Sequence, residues 1–340
     1  MRKTNLCNRL LSLVLCICMV LSMMPGISLP VFAADAVSYV DYTWNEETGV
    51  LSSETKSVTE YTEVTGSTTS MSNGWYVVNG EITISSRITV TGTVHLILVD
   101  GAHLTASSGI TVNEGNSLYI YAQSSDESTM GKLTAASSTD DATIGGLYKN
   151  HAGIIEINGG NINTSMTGSG ACIGSSWACG GYHITINGGK VTATNSSGNG
   201  AAIGSGDRVN MANSQGSVHS ITINGGVVNA TVEKNSGAAI GGGLLFSGGD
   251  ITITGGTIVA KTSSRGAAIG GGEEGDGGNI TITGGTVVAK NTNSNSRGSA
   301  GIGGGYRGSG GNITITGGNV TAVGGWVLRE SVDMPMRVTL

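Results

Sequence analysis

A short text returns along this chain at near-constant intervals, and that return constrains the fold more than any other feature. Aligned on the Gly-Gly after each "I-x-I-x" run, the first glycines are Gly159, Gly188, Gly225, Gly255, Gly284 and Gly317, spaced by 29, 37, 30, 29 and 33 residues. Aligned independently on "A-x-I-G" and its variants, Ile173, Ile203, Ile240, Ile269 and Ile302 are spaced by 30, 37, 29 and 33. The two ladders keep step, so one structural unit recurs and only its loops vary.

Each unit holds three strand signals. "ITIT" puts Ile251 and Ile253 on one face and Thr252 and Thr254 on the other; "TIVA" turns Ile258 and Ala260 inward; "AAIG" does the same for Ala267 and Ile269. Alternation of β-branched residues marks strands, and Gly-Gly or Ser/Gly/Asn stretches mark the corners between them. No unit buries its apolar face alone, so units must stack. The expected fold is all-β: a parallel β-helix of three short strands per coil of about 30 residues, right-handed as parallel crossovers nearly always are. Proline would remove a ladder donor in every coil, and none occurs between Pro30 and Pro335. Residues 75–146 carry the same alternation in looser form, which brings the count to roughly nine coils. An Asn or Thr precedes each Gly-Gly (Asn158, Asn187, Asn224, Thr254, Thr283, Thr316), a row expected to bond along the stack.

The ends differ from the array. Residues 1–33 read as a signal peptide: Arg2, Lys3 and Arg9, a short apolar core, then "VFA" before the expected cleavage point. Its removal takes three bases and no acid, leaving 14 basic against 23 acidic side chains. That balance argues against a nucleic-acid partner. Residues 34–74 are polar, lack the repeat, and are expected to cap the open first coil. Residues 75–325 are the expected β-helix domain. The tail 326–340, "WVLRESVDMPMRVTL", breaks the pattern. Codons for Trp326–Val332 can encode Gly-Ala-Ala-Gly-Ile-Gly in a shifted frame, which predicts a frameshifted or truncated repeat that the nucleotide sequence would reveal.

"GWYVVNGEITISSRITVTGTVHLILVDGAHLTASSGITVNEGNSLYIYAQ" followed by "NITITGG…AAIGGG" resembles the glycine-rich β-helix repeats of secreted and cell-surface proteins of Gram-positive bacteria, within the broader pectate-lyase-like class. The resemblance covers about residues 75–325. It implies an extracellular module, monomeric or part of a larger multidomain protein, without an attached reaction. The same fold class also includes polysaccharide lyases, glycosidases and adhesins, so fold alone does not choose. No sortase-type LPxTG motif occurs.

The loops are where coils differ. After "AIGGG" and its equivalents come Tyr148, Trp177 and Tyr182, Met211, Leu244–Phe246, an acidic loop, then Tyr306 and Arg307. One corner of a solenoid would align them into a strip for stacking on sugar rings or touching a protein. Tyr148, Trp177, Tyr182, Phe246, Tyr306 and Arg307 are therefore the candidate carbohydrate-binding residues, with an extracellular glycan or host-surface polymer as the expected partner. The loops before "AAIG" are polar, carry Lys234, Lys261, Arg265, Lys290 and Arg297, and are expected on the opposite edge.

Other chemistries are weakly signalled. The G-x-G runs open no helix, so they are not phosphate loops. "GGEEGDGGN" occurs once and reads as a solvated acidic loop, and His183 and His219 have no metal spacing, so no cofactor and no metal is expected. A glycosidase or lyase would draw on Asp140, Asp141, Glu156, Asp207, or Glu273 with Arg307. The T-x-T pairs Thr252/Thr254, Thr281/Thr283 and Thr314/Thr316 admit an ice- or crystal-binding array as a lower-ranked alternative. Cys172 and Cys179 are an even pair in a secreted chain, which permits a disulfide.

Overall fold

The structure, a computed structural model, describes residues 35–207, 219–294 and 297–325, and the backbone of 337–339. The chain divides into two units, residues 1–35 and 36–340. The signal-like segment 1–33, the loop holding Met211 and the tail residues 326–336 lie outside the described residues.

The second unit is a β-solenoid, and no helix occurs among the described residues. Three ladders of parallel strands form its walls. The Ile-Thr face begins at Thr62–Glu63 and ends at Asn312–Ile315; the Val-Ala face runs from Glu81–Ile84 to Asn319–Val323. The Ile-Gly face is built of two-residue rungs from Ile110–Thr111 to Ile302–Gly303, preceded by the leading ends of the longer strands Ser70–Val78 and Ile88–Leu98. The Val-Ala face has nine parallel rungs, matching the nine coils read from the sequence, and Arg337–Thr339 adds one antiparallel strand to its end.

Register follows the repeat text. Ile173, Ile203, Ile240, Ile269 and Ile302 pair in succession, as do Ile155, Ile184, Ile221, Ile251, Ile280 and Ile313. Inward side chains therefore stack on their own kind, and one continuous core runs from Val64 to Val320. Burying each Leu, Ile or Val stabilises by about 1.5–3 kcal/mol. At the end of the described coils that gain is lost: Ile280 is fully buried, whereas Ile313, with no described coil above it, is 42% exposed.

The recurrent glycine of "A-x-I-G" is a steric requirement. Gly174 has φ +135°, and a Cβ there would lie 1.9 Å from the carbonyl oxygen of Gly204 on the next coil. No L-side chain fits that approach.

The N-terminal segment behaves differently from the expected cap. The solenoid already starts at Thr62, with Val64 and Met71 in the core. Ahead of it, Val37–Asn45 and Val50–Val58 form an antiparallel hairpin. Tyr39 packs on Trp75 and Tyr121 at 4.7 and 4.9 Å. Farther along, the Tyr42 ring lies against Gly188 and the Leu51 side chain against Gly225. The hairpin thus runs along the outer Ile-Thr face across successive coils. Nine extended residues span about 30 Å, the rise of some six rungs.

Candidate functional site

The third wall decides where the loops go. Each Ile-Gly rung is so short that the chain closes on itself around it: the Ala267 amide donates to the Gly271 carbonyl at 2.8 Å, and equivalent bonds join Ala171 to Ser175 and Ala238 to Gly242. The loops before and after the rung are thereby brought together. The Trp177 amide donates to the Asp140 carbonyl, Leu244 to Asn199, Glu273 to Ser236 and Tyr306 to Arg265. The two loop families therefore adjoin instead of lying on opposite edges. That closure is a property of a two-residue strand, which the alternation pattern does not display.

Tyr148, Trp177, Leu244, Glu273 and Tyr306 hold the same place in their coils, each followed by a residue of positive φ: Lys149, Ala178, Leu245, Glu274 and Arg307. This left-handed turn projects the variable side chains outward. Tyr148 and Trp177 form a parallel pair, centroids 5.3 Å apart and planes 4° from parallel. The Lys149 ammonium lies 5.1 and 5.4 Å from the two rings, within cation–π reach. Tyr148 is 45% exposed. Its amide is held by the Asp141 carboxylate at 2.7 Å, which also sits 4.0 Å from Arg87.

The expected strip does not continue unbroken. Tyr182 and Phe246 are buried lids: Tyr182 stacks on His219 at 5.5 Å, Phe246 meets the same imidazole edge-on, and the Tyr182 hydroxyl donates to the Gly248 carbonyl. Burial pushes the Tyr182 phenol up from its ordinary value. Close approach explains the lids, since a Cβ on Gly180 would lie 2.5 Å from the Phe246 ring. Tyr306 and Arg307 do sit at the edge, with the guanidinium 5.2 Å over the ring and 3.3 Å from Glu274.

The candidate carboxylates are mostly committed to structure. Glu156 accepts from the Asn158 and Asn187 amides at 3.0 and 3.1 Å. The row continues from Asn187 to Asn158, from Asn224 to Asn187 and from Thr254 to Asn224, at 2.8–2.9 Å. The Asn/Thr row is thus a bonded ladder with Glu156 at its end. Burial pushes the Glu156 carboxyl above its ordinary value, the Asn158 bond opposes this, and Asp41 adds to it. Glu273 accepts from Ser236 at 2.6 Å and pairs with Arg265 at 2.9 Å. Asp207 accepts from Asn199, while its second oxygen is buried without a partner. Burial raises its carboxyl, against the Asn199 bond and with the Asp140 charge. Glu273 and Arg307 are not brought together; Arg307 takes Glu274 instead.

The cysteines are both free and buried. Cys172 stands where neighbouring coils have inward Ala202, Ala239 and Ala268, so its sulfur enters the core beside Thr164. Cys179 lies beyond the turn, beside Ser176. The two thiols form no disulfide in this structure: Cys172 belongs to the inner core and Cys179 does not. Burial raises both thiols.

Two clefts flank this edge. One, of about 260 Å³, is lined by Glu114, His151, Ile154, Tyr182 and His183 among others; the Gly181 amide donates to His151 Nδ1 at 2.9 Å. The other, of about 400 Å³, is polar and includes Asn199, Glu233, Lys234, Asn235, Arg265 and Asn293. Neither faces two carboxylates across an opening. Among the described residues, no group of three His, Cys, Asp or Glu is placed to hold a metal ion.

No curated protein and no solved structure matches the chain. A family model described as "Beta helix repeat" matches residues 184–207, 221–244, 251–273, 280–306 and 313–326. The first four matches each run from the first inward isoleucine of a coil to Asp207, Leu244, Glu273 or Tyr306, the place where the outward loop residue stands. Sequence family and geometry agree that this chain carries a parallel β-helix repeat.

Proposed function

We propose that this solenoid is a non-enzymatic binding module of the extracellular surface that holds carbohydrate at its loop edge. The reading rests on the stacked Tyr148–Trp177 pair, Tyr148 exposed and Trp177 half-buried, with Lys149 beside it. Flat aromatic faces suit the C–H faces of pyranose rings, and a neighbouring ammonium suits their hydroxyls. The signal-like leader and the resemblance to secreted β-helix repeats support the location. The test is a glycan array with the purified chain, followed by Trp177→Ala and Tyr148→Ala. Binding that drops about tenfold in both variants supports the reading; binding to no glycan, or binding unchanged in both variants, ends it.

A second reading, a polysaccharide-active enzyme, draws on one observation. Asp207 is a buried carboxyl pushed up by its surroundings and sensing Asp140, one coil from Trp177. Paired carboxylates with separated acidities are the apparatus of glycoside hydrolysis. Its burial leaves no opening to a glycosidic oxygen, which is why binding is preferred. Reducing ends released from a polysaccharide panel, and lost in Asp207→Asn, would reverse that order.

A further inference from the structure

Three successive coils, those of strands Val227–Val232, Thr257–Thr262 and Thr286–Asn291, carry a surface whose charge runs against the rest of the chain. The whole protein is formally −6. Yet from Lys132 onward, no strand of the Val-Ala face contains an acid: KLTAAS, NINTSM, KVTATN, VVNATV, TIVAKT, TVVAKN and NVTAV. Lys261 and Lys290 point outward on neighbouring rungs in direct register. Their backbones are about 4.8 Å apart, and like charges so placed repel. Both are exposed, and neither makes an ion pair among the described residues, nor do Lys234 and Arg297 at the corner that follows. The fifth cation, Arg265, is shared with Glu273.

We propose that this corner and the adjoining outer Val-Ala face bind a linear polyanionic glycan lying along the solenoid axis. Cations repeated at the rung spacing match a polymer whose anionic groups repeat along its length, and their mutual repulsion is relieved only when it arrives. The adjoining cleft sets the polar side chains of Asn199, Asn235, Ser236 and Ser263 beside Lys234 and Arg265, with Glu233 as its one acid. Those groups suit sugar hydroxyls. No aromatic side chain lines it, and single-stranded nucleic acid is held largely by stacking on aromatics. The site does not depend on the Tyr148–Trp177 pair, so either surface can fail without the other.

The test is retention of the full chain on immobilised dextran sulfate, with uncharged dextran and an oligothymidylate as comparators. Dextran sulfate should bind, weaken steeply with added salt, and lose about fivefold to tenfold in the Lys261→Gln/Lys290→Gln double variant. Lys56→Gln, the loss of one positive charge on the distant hairpin, should leave it unchanged, as should Trp177→Ala. Equal retention on dextran, stronger retention on the oligothymidylate, or no loss in the double variant would each overturn the proposal. Both lysines are solvent-exposed, so the double variant keeps its core.

Discussion

The outer Ile-Thr face has two halves that share an interior and differ in what they present. In the early coils the outward positions are Trp75, His95 and Tyr119 in one row and Val77, Ile97 and Tyr121 in the next. The rings stack at 4.4 and 4.9 Å, and the hairpin closes over them through Tyr39. In the late coils the same rows read Thr252, Thr281, Thr314 and Thr254, Thr283, Thr316, and nothing described covers them. Inward residues are apolar throughout, most of them Leu and Ile. The inward text therefore makes the coil, and the outward text decides what lies against it.

The largest effect should fall on the shared interior. Ile155→Ala under the hairpin and Ile280→Ala in the bare half each remove a fully buried side chain, and each should cost about 2–5 kcal/mol. Native-state hydrogen exchange, read coil by coil, is the suitable measure because solenoids need not unfold as one unit. Similar losses in both halves keep the comparison; a far greater loss at Ile155 would mean that the hairpin shares in the core. Next comes Tyr39→Ala, which unseats the hairpin from Trp75 and Tyr121 and should cost about 3 kcal/mol. Its signature is faster exchange in residues 37–58 with the late coils unchanged.

How far these features were legible in the sequence follows the same division. Inward positions repeat, so the rungs, their register and the glycine corners could be read from spacing alone. The start at Thr62 was missed because Thr62–Glu63 and Ser70–Val78 pair into the first coil without the repeat text. The hairpin was missed because "VSYVDYTWN" alternates like any amphipathic strand and nothing in it names its partner wall. At the edge, Tyr148 and Trp177 form a stacked pair, with Tyr148 exposed and Trp177 half-buried. Tyr182 and Phe246 looked the same on paper and are lids, because His219 and the small Gly180 draw them inward.

A pH dependence should arise in the covered half. Glu156 has its folded pKa raised above the ordinary value of 4.5, so between that value and its folded pKa the native state binds more protons than the unfolded chain. Stability should then fall as pH rises through this window, and be fully regained below it. Glu156→Gln keeps an acceptor for Asn158 and Asn187 and should flatten that slope. Urea midpoints across mildly acidic pH would show it; an unchanged slope would assign the effect to another group.

The finest contrast lies in the row that precedes Gly-Gly. Asn158, Asn187 and Asn224 are buried, whereas Thr283 and Thr316 are exposed. A buried residue in a vertical ladder must donate to one neighbour and accept from the other, and an amide does both with fixed geometry. In water the second bond is supplied by solvent, and threonine suffices as a good strand residue. The change from Asn to Thr at residue 254 thus marks where the ladder passes from cover to solvent. Asn187→Thr should cost about 1–3 kcal/mol, because it leaves Asn158, Asn224 and Glu156 short of partners. Thr283→Asn, the reverse exchange on the bare half, should stay within about 0.5 kcal/mol. Equal costs for the two exchanges would show that the row is set by strand preference and not by the hairpin above it.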